Sequence, residues 1–312
     1  MDCTINQPKI SVVMAVWNGE RFLNDAIDSI LNQTFSDFEF IIVNDGSTDK
    51  TEKIILSYTD SRIVYLKNDF NIGLAASLNK SIKVAKGEYI ARMDDDDLCN
   101  IDRFKIQLDF MENNKDIGVV GTLANYITEE NEYLLTTQLP EFHNEIKKKI
   151  PMFWFHHGSV MMRKELLLRC GCYDEWCKRI EDLLLWNKLA FLTHFHVIQA
   201  PLYTWRLTIK GATNVPLSIQ VKELLRKIHK TESLQDVIAE IKAYDIEAES
   251  DQKTNQNSRL REYQYNKKVV GYAIDGKRRS LALKYYFRLI SMKIKIKDFI
   301  FIPLRILKTY IK

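Results

Sequence analysis

A chain of 312 residues, 46% hydrophobic and 11% aromatic, can bury a substantial core, and its length suits one large α/β domain with an appendage or two domains. Five cysteines, an odd number, and a polar start, MDCTINQPK, with no apolar signal core argue against a disulfide-stapled secreted protein and for a reducing cytoplasm. The net charge of +4 hides an asymmetry: residues 277–312 hold eleven Lys or Arg against the single acid Asp298, so this stretch carries +10 and the rest −6, a pattern suited to meeting an anionic surface.

In chain order, residues 10–16, ISVVMAV, form a continuous apolar run, the pattern of a central parallel strand covered on both faces. Trp17-Asn18-Gly19 breaks it, and 21–31 carries helical spacing through Phe22, Ala26, Ile27, Ile30 and Leu31. A second strand, 38–43, ends in Asn44-Asp45-Gly46-Ser47-Thr48-Asp49, where Thr48 or Asp49 can cap a helix through Ile54 and Ile55. A third strand, 63–66, leads to Asn71-Ile72-Gly73 and a helix over Leu74, Leu78, Ile82 and Ala85, which Gly87 ends; 89–93 is the fourth strand. Four strand–helix alternations with short connections predict a doubly wound, mostly parallel sheet. Ligands of such sheets bind beyond the carboxyl ends of the strands, and there the polar residues collect: Trp17 and Asn18, Asp45 to Ser47, Asn71 to Gly73, and Asp94 to Asp97. Neither G-x-G-x-x-G nor G-x-x-x-x-G-K-[ST] occurs, which excludes a dinucleotide fingerprint and a P-loop.

The run Asp94-Asp95-Asp96-Asp97 closes the fourth strand. Adjacent carboxylates repel by about 1 kcal/mol even in water, so the cluster either holds a cation or caps the next helix as an acidic turn. Strand parity puts Asp94 and Asp96 on one side, Asp95 and Asp97 on the other. Asp94 and Asp96 then form a D-x-D pair of hard oxygen ligands suited to Mg²⁺ or Mn²⁺. Asp97 is placed to cap the helix around 103–110.

Further on, 117–122 is another apolar strand, and 126–135 shifts to an antiparallel or mixed pattern. Residues 153–162, FWFHHGSVMM, put two histidines and a glycine before a strand-like run; 171–175, GCYDE, is a turn, and 180–191 a helix opening on Glu181-Asp182. Cys170, Cys172 and Cys177 lack a fourth ligand at zinc spacing. From 215 onward helix formers dominate, with a polar loop at 250–257. The basic stretch beyond it is too often charged to span a bilayer. It suits a segment lying on an anionic leaflet, or a helix packing its apolar side on the protein. No nucleic-acid recognition motif accompanies it.

ISVVMAVWN, FIIVNDGSTD, NIGLAASLN, GEYIARMDDDD, GCYDE and EDLLLW, in this order over about 9–214, resemble glycosyltransferase family 2, the inverting enzymes of GT-A fold, here of the non-processive bacterial surface-glycan type. Q-x-x-R-W and long membrane spans, the marks of a processive synthase, are absent from the sequence. The resemblance implies a nucleotide-sugar-binding half (1–100), an acceptor-binding and catalytic half (101–214) and a helical basic extension (215–312). It places Val16, Trp17 and Asp45 at the nucleotide base, with Asn71, Gly73 and Arg92 along the nucleotide and diphosphate. Asp94 would reach the ribose and share the metal, Mg²⁺ or Mn²⁺, with Asp96, while Asp95 would contact the sugar. His156, His157 and Gly158 would line the donor sugar and acceptor, Asp182 would be the general base, and Glu181 would orient the acceptor. Two positions depart from the family: Lys188 replaces an arginine, and Thr208 replaces the histidine of Y-R-x-H. The implied activity is transfer of one sugar, from a UDP-hexose, to a glycan or lipid-linked acceptor in cell-surface polysaccharide synthesis at the cytoplasmic face of the membrane. The contrasting expectations are a non-catalytic nucleotide-sugar or divalent-ion binding subunit on the same scaffold and an adaptor acting through the basic tail.

Overall fold

The computed structural model describes residues 7–150, 156–176, 180–209, 219–228, 230–231, 233–248 and 258–292. Cys3, Cys177, the 250–257 loop and the basic tail beyond Met292 lie outside the described residues. The chain divides into two compact units, one made of 1–124, 138–204 and 218–250, the other of 125–137, 205–217 and 251–312.

In the first unit β1 (Ile10–Val16) pairs in parallel with β2 (Phe38–Asp45) and with β4 (Tyr89–Arg92), and β2 pairs in parallel with β3 (Ile63–Asn68). Every residue of β1, β2 and β4 is buried, as strands covered on both faces require. The helices α1 (Leu23–Leu31), α2 (Thr51–Ser57) and α3 (Leu74–Val84) supply the crossovers. Past β4 the sheet turns antiparallel. A short β5 (Leu98–Cys99), α4 (Arg103–Asn113) and a long β6 (Ile117–Ile127) come next in the chain. After β7 (Tyr133–Thr136) and α5 (His143–Lys147), the turn His157–Ser159 delivers β8 (Met161–Arg163), which pairs with both β4 and β6. Helices α6 (Lys164–Arg169) and α7 (Glu181–Leu189) precede β9 (His194–Arg206), and the strand order is β3-β2-β1-β4-β8-β6-β9-β5, with β7 on β6. The first unit also contains α8 (Ile219–Ile228) and α9 (Leu234–Ala248).

The second unit is built from β7, the ends of β6 and β9, and the hairpin of α10 (Ser258–Asp275) and α11 (Arg279–Met292). Leu134, Leu207, Tyr263, Val269, Ala282, Tyr285 and Leu289 make its core. Within the described part of the basic stretch, Lys284 pairs with Glu132 at 2.7 Å and Arg288 with Glu130 at 3.2 Å, so α11 spends two cations on packing. Among the described residues no helix is long and apolar enough to cross a membrane.

Candidate active site

The loops after β1 and β2 are knitted into one ledge. The Asn18 amide donates to Ser47 Oγ at 3.0 Å, and Asn18 Oδ1 accepts from the Thr48 amide at 2.8 Å. The Gly19 amide reaches Thr51 Oγ1 at 2.9 Å, and Asp49 Oδ1 accepts from the Thr51 amide at 3.0 Å, closing the start of α2. Val16 is buried, whereas Trp17 beside it is 57% exposed, which rules out core packing and leaves its ring presented at the strand end. Asp45 is buried and organises the next loop: Oδ1 accepts from Asn68 Nδ2 at 2.8 Å and the Ile72 amide at 2.9 Å, and Oδ2 from the Gly73 amide at 2.9 Å. Gly46, at φ +67°, is required here because a Cβ would strike the backbone of Phe70 and Asn71. Asn71 is exposed.

The acidic run does not continue the strand. The chain turns at Asp95 and Asp96, so the parity expectation fails: strand alternation holds only while the backbone stays extended. Asp94 Oδ1 accepts from Arg92 Nη2 at 2.5 Å, and the fully buried Arg92 also donates to the Met93 carbonyl. Arg92 therefore braces the aspartate turn from inside the protein. Asp95 lies against the β1 loop, where a Cβ on Gly19 would overlap its carboxylate. Burial, then Asp96 and Asp94, push the Asp95 carboxyl well above the usual range. Asp97 does not cap α4, whose N-cap is Asp102; it is buried and accepts from Tyr203 Oη at 2.6 Å.

Beneath this turn, Arg103 Nη2 donates to the Arg92 carbonyl at 2.9 Å and the Val160 carbonyl at 3.2 Å. Gln107 Nε2 donates to the Ser159 carbonyl at 2.9 Å. Gly158 sits on the other side: a Cβ there would overlap Tyr203 Oη and come within 2.7 Å of Asp94 Oδ2. Gly158→Ala is therefore expected to cost about 1–3 kcal/mol by overpacking, read as a fall of several degrees in the thermal midpoint; an unchanged midpoint would contradict this packing. His157 Nε2 shares a 2.6 Å hydrogen bond with Tyr173 Oη. Burial and the charge of Arg92 hold His157 well below the ordinary histidine range, so its ring is neutral. Burial likewise lowers His156 to about 4.

The GCYDE turn reaches left-handed backbone at Gly171 (φ +79°) and Cys172 (φ +57°). Asn79 clamps it by accepting from the Tyr173 amide at 3.0 Å and donating to the Tyr173 carbonyl at 2.9 Å. Lys188 closes the clamp from α7, donating to the Cys172 carbonyl at 2.7 Å and meeting Asp174 at 2.9 Å. A single ammonium suffices for these two acceptors, which accounts for a lysine at this position. All nine residues of α7 are buried, Glu181 and Asp182 included. Asp182 Oδ1 accepts from the Leu183 amide at 2.8 Å. Burial, then Glu181 and more weakly Asp94, raise the Asp182 carboxyl to about 8, overcoming the backbone amides at the helix start. Thr208 is buried in the second unit.

The sheet thus brings Trp17, Asp45, Asn71, Gly73 and Asp94–Asp97 to the carboxyl ends of four parallel strands, with Asp182 within electrostatic reach of Asp94. Tyr203, Arg103 and Gln107 are not singled out by the sequence, and Tyr173 only as part of the GCYDE turn. The signal available is the i,i+4 spacing of Arg103 and Gln107, which lets Arg103 Nε donate to Gln107 Oε1 at 2.9 Å.

Residues 11–171 match the family described as Glycosyl transferase family 2. An uncharacterised glycosyltransferase of Methanocaldococcus jannaschii is 38% identical over 65% of this chain and 72% of its own length. The O-antigen biosynthesis glycosyltransferase WbnJ of Escherichia coli is 36% identical over 58% of this chain and 76% of its own. Among solved structures, S. aureus TarS in complex with UDP-GlcNAc aligns over 88% of this chain and 82% of that one, at 19% identity and a TM-score of 0.59. The mannosyltransferase PcManGT of Pyrobaculum calidifontis, in complex with GDP-Man and Mn²⁺, aligns over 98% and 87%, at 15% identity and a TM-score of 0.54. These two likenesses establish the GT-A fold. With its family match spanning half the sequence and its relatives covered over most of their length, the chain belongs to glycosyltransferase family 2.

Proposed function

We propose that the protein moves one sugar from a uridine-linked nucleotide sugar to a hydroxyl of a glycan or lipid-linked acceptor, with inversion and with Mg²⁺ or Mn²⁺ at Asp96 and Asp94, in cell-surface polysaccharide synthesis. The observation that carries this is the buried, proton-hungry Asp182 lying within electrostatic reach of an acidic turn at the end of a central strand. The O-antigen relative and the structural neighbours with bound UDP-GlcNAc and GDP-Man with Mn²⁺ support it.

On the base side, a carboxylate offers about four acceptor positions. The three donors on Asp45 leave one for a single ring N–H such as that of uracil. The exposed Trp17 ring supplies a stacking face, and the loop carrying Asn71 and Gly73 is held in place by Asp45. Among the described residues no three His, Cys, Asp or Glu side chains enclose an ion. The donor set instead fits a cation held by one or two carboxylates and completed by water and phosphate oxygens, as Mg²⁺ prefers. With Asp94 braced by Arg92, Asp96 on the turn is the principal protein ligand, and Asp94 shares the ion while reaching the ribose. When bound, the ion offsets negative charge on the departing diphosphate.

Asp182 holds the Leu183 amide on Oδ1 and takes the acceptor's proton on Oδ2, a step only its ionised form performs. Glu181 raises its proton affinity and orients the acceptor. The residues around His157 and Gly158 form the floor between donor and acceptor. The basic stretch 277–312 brings the enzyme to an anionic, cytoplasmic membrane face where a lipid-linked acceptor resides.

Release of UDP from UDP-glucose, UDP-galactose and UDP-GlcNAc in the presence of Mn²⁺ or of EDTA tests the donor class. Mn²⁺-dependent release from at least one is expected. No release from any of them, at protein concentrations matching substrate, would overturn the proposal and favour a binding subunit.

A further inference from the structure

We propose that Tyr203 is a positioning residue that fixes the acidic turn in its metal-accepting geometry by a hydrogen bond to Asp97, without itself meeting substrate; this rests on the donor-site role proposed for Asp94–Asp97. Tyr203 is 1% exposed and lies on β9, where it stands opposite Cys99 in the antiparallel pair that β9 makes with β5. The strand that follows the aspartates is thus tied down by backbone pairing, and the phenol ties the turn itself. A hydroxyl has one proton to give. Tyr203 Oη is 2.6 Å from Asp97 Oδ2 and 3.5 Å from Asp94 Oδ2, so the proton goes to Asp97 and the oxygen rests beside Asp94.

Asp94 is then bounded on both oxygens, by Arg92 on Oδ1 and by the phenol on Oδ2. Two of four mutually repelling carboxylates are fixed from the protein side, while Asp95 and Asp96 occupy the turn. The phenol is itself held: the Arg103 guanidinium stands 5.5 Å over its ring, and only a glycine at 158 leaves room for its oxygen. The groups around this phenol come from the turn after β4 (Asp94 and Asp97), α4 (Arg103) and the 157–159 turn (Gly158), so the hydrogen bond from β9 to Asp97 sits where these separately placed segments meet.

Partners that orient metal ligands typically change metal affinity by about 10–100-fold when removed. Mn²⁺ binding to the full-length protein with saturating UDP, measured by electron paramagnetic resonance of free Mn²⁺, provides a readout independent of turnover. Tyr203→Phe is expected to weaken Mn²⁺ binding by about tenfold or more, and Asp97→Asn to weaken it likewise. If the tyrosine acts through Asp97, the double variant is no weaker than the weaker single one. A merely structural tyrosine lowers the thermal midpoint and leaves Mn²⁺ affinity unchanged. Wild-type affinity in Tyr203→Phe, or fully additive losses in the double variant, overturns the proposal. Should the tyrosine variant not fold, wild-type affinity in Asp97→Asn does the same. Absence of Mn²⁺-dependent UDP binding in the unaltered protein overturns the donor-site reading and this one together, so the two failures are told apart.

Discussion

Replacing Asp182 by Asn is expected to lower sugar transfer by about 10²–10⁴-fold, the contribution of a positioned general base, while Mn²⁺-dependent donor binding stays at the wild-type level. Asparagine preserves the shape and the Oδ1 acceptor for the Leu183 amide, so the loss isolates proton removal. Since the carboxyl is raised to about 8 by burial and by Glu181, kcat/KM of the wild type rises with pH and levels off above about pH 8. The same shift has a stability consequence with the opposite sense. An acid whose folded pKa is raised contributes stability that is present in full below its unfolded pKa, near 3.9, and is lost as pH rises through about 8. Asp182→Asn is therefore expected to melt higher than the wild type at pH 9, the difference shrinking towards pH 4. A variant that transfers sugar at the wild-type rate removes Asp182 from the chemistry, and one that also loses donor binding assigns it to the donor site.

Asp96→Asn is expected to abolish Mn²⁺-dependent donor binding and to cost several kcal/mol of transition-state stabilisation, about 10²–10³-fold or more in kcat/KM. Asn keeps the side-chain size but replaces a hard anionic ligand with a neutral amide. The neighbouring carboxylates do not substitute for it: Asp97 is buried under Tyr203, Asp94 is gripped by Arg92, and Asp95 is turned against the Gly19 loop. Removing one negative charge also relieves Asp95, whose carboxyl Asp96 pushes upward. Wild-type Mn²⁺ dependence in Asp96→Asn would move the ion to other residues.

The parallel half of the sheet is legible in the sequence because strands buried on both faces have little freedom of composition. ISVVMAV and FEFIIVND announce themselves, and the polar loops that follow them fall where the fold needs them. The antiparallel half is less so. β8 is three residues long and β5 two, too short for any periodicity, and their places beside β4 and β9 are set by partners more than 60 residues away in the chain. In the candidate site, residue identity was readable and orientation was not. Asp45 looked like a base contact and is also the anchor of the Asn68–Gly73 loop. Arg92 looked like a phosphate ligand and is a fully buried brace. The four aspartates looked like a strand with two sides and form a turn. Each of these depends on a neighbour outside the local stretch, Asn68 for Asp45, Val160 and Arg103 for Arg92, and Tyr203 for the aspartates, and local pattern carries no record of such pairs. The direction of the Asp182 shift was likewise undetermined locally, because the helix start and burial oppose one another and only the surroundings of α7 decide between them.

The turn at Asp94–Asp97 and the loops around Asp45 and Trp17 are proposed to bind a nucleotide sugar through a divalent ion. Thermal unfolding of the wild type with UDP-, GDP-, dTDP- and CMP-linked sugars, each with Mn²⁺ and with EDTA, addresses it most directly. A uridine-linked sugar at 100 times its Kd is expected to stabilise the protein by about 2.7 kcal/mol, a rise of several degrees, with Mn²⁺ and not with EDTA, and Asp96→Asn is expected to lose that rise. Stabilisation by none of the four classes in the presence of Mn²⁺ would contradict the account.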